Sequence, residues 1–196
     1  MHPELQRRYR RLFRFYDVDG DGRLCFDNDG RGVAEAIARR WAASGRCFPD
    51  LLPMLLGYYQ HESQRRDLNK SGSVDEQEFV DSHAPALVAF ADMPSKAIAF
   101  CERAAGVFFD ALDLDGDGFL ECQDLQAYAR ACGKPVEGIG DNLARMLADF
   151  DLPPDRLPRS VFLTLVRQYW FDPSPDVPGR WLFCLDSQGD ELVADS

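Results

Sequence analysis

Short turns rich in aspartate are the part of this sequence best suited to chemistry. In the first of them, Asp17, Asp19 and Asp21 stand at alternate positions and Gly22 follows. Glycine permits a sharp turn, so the three carboxylates can face one point at the distance at which a hard divalent cation binds oxygen. Arg23, the seventh residue of the turn, would add its backbone carbonyl oxygen. This spacing is typical of a twelve-residue loop that binds calcium.

The twelfth position of the first loop departs from that pattern. A glutamate is expected there, because its two oxygens close the shell of ligands around the ion. The sequence has Asn28 instead, and the Asp29, Gly30 and Gly32 that follow are poor residues with which to begin a helix. We predict a calcium site closed by Asn28, with Asp27 or Asp29 as the alternative ligand if the loop shifts. Weak or absent binding in this loop is left open.

The second loop covers residues 67–78 and keeps the closing glutamate. Serine stands at its fifth position, where aspartate or asparagine is usual, but the hydroxyl still offers an oxygen. The glutamate at the twelfth position can bind calcium through both carboxylate oxygens. The predicted ligands of this loop are Asp67, Asn69, Ser71, Ser73 and Glu78.

The third loop covers residues 113–124 and carries the largest ligand charge of the three. Its closing residue, Asp124, is one methylene shorter than glutamate, so we expect it to bind through a single oxygen. A six-ligand site of this kind tolerates magnesium better, and we therefore predict calcium binding with Mg²⁺ as a competitor. The predicted ligands of this loop are Asp113, Asp115, Asp117, Phe119 and Asp124.

A fourth, damaged copy of the loop begins near Asp151. It has two prolines, lacks glycine at the sixth position and has Val161 near the closing position, which leaves too few oxygens for a cation. We predict that this loop is free of metal. Its Leu157 can still pair with Leu120 of the third loop, which would keep a helix–loop–helix unit there for structural reasons.

Helices must flank each loop, and the apolar pattern predicts them. Apolar residues recur at helical spacing before the first loop and before the third. These residues are Leu5, Tyr9, Leu12, Phe13 and Tyr16 in the first stripe, and Ile98, Cys101, Ala105, Phe108, Phe109 and Leu112 in the second. Glycine and proline predict helix ends at residues 44–49, 85, 93–94, 133–140 and 172–179.

Four helix–loop–helix units account for most of the chain. The first three loops begin 50 and 46 residues apart, which leaves room each time for an entering and an exiting helix. We therefore predict an all-α protein with the EF-hand fold, in which two EF-hand pairs pack into one compact globule and the fourth hand is degenerate. The break at residues 93–94 divides the chain into an N-terminal pair, 1–92, and a C-terminal pair, 93–196.

Composition excludes several classes of protein. The chain has 33 acidic residues against 22 lysines and arginines, a net charge of −11, so a surface for nucleic acid is not expected. No apolar run is long enough to cross a bilayer. The basic first helix could bind anionic lipid, but its arginines lie partly toward a helix C-terminus, where cations are favoured, so membrane binding is not expected. The six cysteines are scattered without a CxxC pair, and we expect free thiols and a cytoplasmic monomer.

Three features of the sequence resemble those of a known family. They are the spacing of the loops, the loss of the fourth site and the segment 172–183, which is rich in proline and ends in Trp-Leu-Phe. The sequence resembles the sarcoplasmic calcium-binding proteins, calexcitin and the bacterial calerythrin-like proteins over nearly its whole length. The resemblance implies two EF-hand pairs in one globule and a role in cytosolic calcium buffering or signalling.

Aromatic residues outnumber methionines, which bears on function. The chain has 14 phenylalanines and 3 tryptophans but 4 methionines, whereas calcium sensors use flexible, methionine-rich grooves to bind targets. We predict a calcium buffer; the alternative is a sensor that exposes an apolar face and regulates an unidentified target protein. No serine or cysteine motif surrounds the three histidines, so enzymatic activity is not expected, although sequence alone leaves a cysteine–histidine pair open.

Overall fold

The structure is a computed structural model that describes residues 1–184. Most of these residues are helical. The α-helices are α1 (Pro3–Tyr16), α2 (Arg31–Ser44), α3 (Leu51–Arg66), α4 (Glu76–Asp81), α5 (Ala84–Asp92), α6 (Pro94–Leu112), α7 (Cys122–Ala131), α8 (Ile139–Leu147) and α9 (Arg159–Phe171). The short strands are β1 (Arg23–Leu24), β2 (Val74–Asp75), β3 (Phe119–Glu121) and β4 (Arg156–Pro158). Single turns of other helix types cover Phe26–Gly30 (π), Ala148–Phe150 (3₁₀) and Pro178–Trp181 (3₁₀).

The strands join the loops in two pairs. β1 is antiparallel to β2, with Leu24 opposite Val74, and β3 is antiparallel to β4, with Leu120 opposite Leu157. All four of these side chains are buried. The predicted pairing of Leu120 with Leu157 is confirmed, and the degenerate fourth hand is present as a folded unit. The boundary at residues 92 and 93 stays a prediction, and residues 185–196 lie outside the described part.

Helix ends follow the predicted glycine and proline signals with one small shift. α2 ends before Gly45, which has a positive φ of 71°, a conformation that glycine adopts without strain. Pro85 lies in the first turn of α5, where its missing N–H costs no hydrogen bond, so this break falls between Asp81 and Ala84.

Side chains of the first and last α-helices donate hydrogen bonds to backbone carbonyl oxygens of the other helix. The Tyr9 hydroxyl donates to the Trp170 carbonyl at 2.5 Å, and the Tyr169 hydroxyl donates to the Arg8 carbonyl at 2.5 Å. Arg8 is fully buried, and its guanidinium donates to the carbonyl oxygens of Gln168 (3.0 Å), Asp172 (2.7 Å) and Ser174. The carbonyls at the end of α9 therefore receive their hydrogen bonds from α1.

The basic residues of α1 also contact groups within the protein. Arg14 pairs with Glu76 at 3.3 Å, and Arg11 donates to the carbonyl of Arg180 at 2.5 Å. The basic face is thus partly used in packing. Within residues 1–184, no helix is both long and apolar enough to span a membrane. All six cysteines lie in this part of the chain and are free, as predicted.

The segment that ends in Trp-Leu-Phe packs against the core. Leu182 is buried, and the Phe183 ring lies 5.2 Å from Phe15 and 5.3 Å from Tyr169, centre to centre. Gly179 lets this segment pass close to α9, because a Cβ atom at this position would lie 2.4 Å from the Leu165 carbonyl oxygen.

Candidate metal centres

The first loop gathers its aspartates between α1 and β1. Carboxylate oxygens of Asp17, Asp19 and Asp21 lie within 4.8 Å of one another. Backbone amides hold these side chains in place: Gly22 donates to Asp17 Oδ2 at 3.1 Å and Arg23 donates to Asp21 Oδ1 at 2.8 Å. The positive φ of Gly22, 79°, lets the chain turn back over the carboxylates.

One oxygen of this cluster indicates a fit to a cation. Asp17 is buried, and within residues 1–184 its Oδ1 atom has no hydrogen-bond partner. A buried carboxylate oxygen without a partner costs free energy unless a cation or another donor satisfies it. Three converging carboxylates are the ligands that calcium prefers. The residues present therefore fit the divalent ion that the loop pattern implies.

The closing carboxylate of the first loop is Asp29, the thirteenth residue. Its Oδ2 accepts the Cys25 N–H at 2.8 Å, and its Oδ1 accepts the Val18 N–H at 2.9 Å. The π-helical turn Phe26–Gly30 inserts one extra residue before α2 and carries Asp29 to this position. Burial raises the pKa of Asp29, while the two N–H groups act in the opposite direction.

Asn28, the predicted closing ligand, lies beside the aspartate cluster. Its side-chain amide donates to Asp19 Oδ2 at 3.0 Å, and its role as a metal ligand stays a prediction. Asp27 is exposed and pairs with Arg31 at 2.8 Å. Of the two alternatives that the sequence left open, the structure places Asp29 at the end of the loop. In the sequence, Asp29 was indicated by a carboxylate one position after the usual twelfth, followed by Gly30.

The second loop is closed by Glu78 in the regular way. Its two oxygens accept the N–H groups of Asn69 (3.0 Å) and Asp75 (3.2 Å). Asp75 in turn accepts the Glu78 N–H at 2.8 Å, so the closing glutamate belongs to the capping box that begins α4. At the other end of the loop, Asp67 Oδ2 accepts the Gly72 N–H at 2.8 Å.

The two serines of the second loop also lie beside each other. The Ser71 hydroxyl donates to the Ser73 carbonyl oxygen at 2.9 Å, so the fifth and seventh positions meet. Arg23 of the first loop donates to the Ser73 hydroxyl at 2.8 Å, which links the paired loops. The five predicted ligands thus lie in one short loop, and their binding to metal stays a prediction.

The third loop repeats the aspartate cluster of the first. Carboxylate oxygens of Asp113, Asp115 and Asp117 lie within 4.8 Å of one another. Asp113 Oδ2 accepts the Gly118 N–H at 3.0 Å, and Asp117 Oδ1 accepts the Phe119 N–H at 2.9 Å. Burial raises the pKa of Asp113.

Two arginines from distant segments contact the acidic side chains of the third loop. Asp124 Oδ2 accepts the Glu121 N–H at 2.9 Å, while its Oδ1 forms an ion pair with Arg40 of α2. Asp117 forms an ion pair with Arg156 of the degenerate fourth loop. Loop spacing gives no signal for either arginine, because neither belongs to the loop whose ligands it contacts.

One of the three histidines of the chain lies in the core. His83 is buried; its Nδ1 lies 2.7 Å from the Phe79 carbonyl and its Nε2 lies 3.0 Å from Arg66. Both ring nitrogens are therefore engaged in the core.

Comparison with known proteins supports this description of the loops. The sequence model of the EF hand matches residues 10–30 and 107–127, which include the aspartate clusters of the first and third loops. The helix–loop–helix pairs have the EF-hand fold, as predicted, and the match covers two of their loops. The sequence matches no curated protein at a significant level.

Solved structures share the arrangement of most of the chain. A sarcoplasmic calcium-binding protein from amphioxus has a TM-score of 0.60 at 16% identity, covering 94% of this chain and 98% of its own. A calcium-binding protein from Streptomyces coelicolor has a TM-score of 0.58 at 21% identity, covering 87% and 99%. The calcium-loaded apo form of the coelenterazine-binding protein from Renilla muelleri has a TM-score of 0.62 at 16% identity, covering 93% and 98%. These likenesses establish the fold, and the predicted resemblance to the sarcoplasmic calcium-binding proteins is confirmed at that level.

Proposed function

We propose that this protein binds calcium at its first three loops and acts as a cytoplasmic calcium buffer, with a metal-free fourth loop. The observation that carries the proposal is a pair of hydrogen bonds that recurs in all three loops. In each of the three loops the sixth-position glycine donates to the first aspartate, and the ninth-position N–H donates to a closing carboxylate. The closing carboxylates are Asp29, Glu78 and Asp124.

The ion would supply positive charge to groups that otherwise repel one another. Three divalent ions carry six positive charges, so the formal charge would change from −11 to −5. Because ions that bind the folded state stabilise it, calcium should raise the melting temperature strongly. In the third loop, the short side chain of Asp124 favours a six-ligand site in which Mg²⁺ competes.

A buffer role is supported by the way the two halves interlock. Tyr9, Tyr169 and buried Arg8 join α1 to α9 through hydrogen bonds to backbone carbonyls. A sensor that opens on loading would have to break these buried contacts, which is costly. The same contacts suit a monomer in which the pairs 1–92 and 93–196 stay closed around one core.

Calorimetric titration with calcium, with and without magnesium, tests the proposal. We expect three binding events, a rise in melting temperature and competition by magnesium at the third loop. Dialysis of purified protein against millimolar calcium that recovers no bound ion would overturn the proposal. Titration of an Asp67→Asn, Asp113→Asn double variant, which lacks the first ligand of two loops, is the matched control.

A calcium sensor is the second candidate, and one feature favours it. α5, the first half of α6 and the residue between them expose apolar side chains: Val88 is 60% exposed, Phe100 67% and Met93 50%. Such a surface can bind a target protein. Fluorescence of a hydrophobic dye separates the candidates: a sharp rise on adding calcium would support the sensor, and a fall, as the protein compacts, would support the buffer.

A further inference from the structure

An arginine of the first hand reaches the third metal loop. Arg40 lies on α2; its Nη1 donates to the Leu112 carbonyl at 2.9 Å, and its Nη2 forms the ion pair with Asp124 Oδ1. The neighbouring Trp41 donates through Nε1 to the Ala111 carbonyl at 2.8 Å. α2 therefore binds both the last carbonyls of the helix that enters the third loop and the carboxylate that closes this loop.

The Arg40–Asp124 pair is shielded from solvent. The side chain of Arg40 is 25% exposed and that of Asp124 is 10% exposed, so water and salt screen the pair less than they screen a surface ion pair. The second oxygen of Asp124 accepts the Glu121 N–H and belongs to the capping box of α7. Oδ1, the oxygen that Arg40 contacts, is therefore the one left for a metal ion.

We propose that Arg40 competes with the divalent ion for Asp124 Oδ1 and sets the affinity of the third loop below that of the second. This inference rests on the proposed calcium binding. If Arg40 stays in place, its positive charge repels the ion at short range. If Arg40 leaves, its ion pair and its hydrogen bond to Leu112 are lost. Either path lowers the affinity of the third loop.

The second loop offers the internal comparison. Glu78 is held by the backbone N–H groups of Asn69 and Asp75, and no arginine is paired with it among the described residues. Through Arg40, binding of an ion to the third loop is also coupled to the position of α2, the helix that follows the first loop. By thermodynamic reciprocity, a change in the first hand that moves Arg40 would change the affinity of the third loop.

Substitution of Arg40 tests the inference, with Arg39 as the matched control. Arg39 is the next residue, is 69% exposed and pairs with Glu35 at 3.6 Å, so Arg39→Gln changes the net charge equally without touching Asp124. Gly72 and Gly118 report on each loop separately, since their N–H groups donate to the first aspartates. Their amide signals would be followed by NMR during calcium titration.

We expect Arg40→Gln to lower the Kd measured at Gly118 roughly tenfold, which corresponds to about 1.4 kcal/mol. The Kd at Gly72 should stay as in the wild type, and Arg39→Gln should change neither. Arg40→Lys keeps a positive charge near Asp124 and should leave the Gly118 Kd close to the wild-type value. If Arg40→Lys increases affinity as much as Arg40→Gln, the effect comes from packing and the inference is wrong.

Failure of calcium binding and failure of the competition by Arg40 give different results. If neither glycine of the wild type responds to calcium, the proposed function is wrong. If both respond and Arg40→Gln leaves the Gly118 Kd unchanged, calcium binding stands and competition by Arg40 is overturned. The amide spectrum of each variant without calcium shows whether it has the wild-type fold, so a folding defect is recognised before titration.

Discussion

Asp29 accepts the Cys25 N–H at 2.8 Å, and this bond corresponds to the one that Glu78 accepts from Asp75 in the second loop at 3.2 Å. The two carboxylates thus end their loops in the same way although Asp29 stands one residue later in its loop. The extra residue is taken up by the π-helical turn Phe26–Gly30. A loop that departs from the expected spacing in sequence therefore regains the regular arrangement in space.

Asp29→Asn should weaken calcium binding in the first loop. The amide has one acceptor oxygen in place of two and carries no charge, so it cannot both hold the backbone and attract the ion. We expect the affinity measured at the Gly22 amide to fall at least about tenfold, on the scale of removing one charged ligand. Asn28→Ala is the control and should have a smaller effect; equal losses would show that Asn28 closes the loop after all.

Local patterns of the sequence were sufficient for the loops and their pairing. Asp67 to Glu78 and the aspartate cluster at Asp113 follow a fixed spacing, and the pairing of Leu120 with Leu157 follows from apolar residues at equivalent positions. The ligand spacing and the apolar eighth position are local features of each loop, which is why the sequence alone could predict them.

Contacts between distant segments could not be predicted in this way. The turn before α2 brings Gly30 against α3, where an added Cβ would lie 2.9 Å from Tyr59 Cβ. The place of Asp29 therefore depends on packing as well as on spacing. Arg40 and Arg156 reach the third loop from segments 84 and 39 residues away from their partners, Asp124 and Asp117.

Arg156→Gln should strengthen calcium binding at the third loop to a smaller degree than Arg40→Gln. Arg156 pairs with Asp117, but its side chain is 41% exposed, so solvent weakens its effect on the ligand. We expect the Kd at Gly118 to fall about threefold, in line with an exposed ion pair of about 0.7 kcal/mol. Arg159→Gln, which breaks a pair with Asp110 at 2.9 Å outside the loop, is the control. A larger change in this control than in Arg156→Gln would contradict the prediction.

Arg8→Met should destabilise the fold without altering the metal loops directly. Methionine keeps much of the apolar stem but removes the donors that satisfy the carbonyls of Gln168, Asp172 and Ser174. We expect the free energy of unfolding in urea, at saturating calcium, to fall by about 3 kcal/mol, as for other losses of a buried hydrogen-bond network. Arg7→Met changes the same charge on a half-exposed side chain, and a similar loss there would argue against a special role for Arg8.

His83 gives the stability of the protein a pH dependence. Its ring stacks on Tyr9 with centroids 4.0 Å apart and lies 4.8 Å from Trp170. Burial, and next the charge of Arg66, lower the pKa of His83 well below its usual value. With Arg66 donating to Nε2, Nδ1 carries the proton and donates to Phe79. The folded state therefore holds this imidazole neutral.

Stability should fall as the pH drops below about 6.5, the ordinary pKa of histidine. In that range the unfolded chain binds a proton at His83 that the folded chain does not, so unfolding becomes more favourable by up to about 1.4 kcal/mol per pH unit. Urea unfolding at saturating calcium between about pH 7.5 and 5.5 measures the slope. His83→Gln should lower stability at every pH but flatten this slope. The exposed His61 is the control: His61→Gln should keep the wild-type slope, and a slope that survives in His83→Gln would assign the effect to another group.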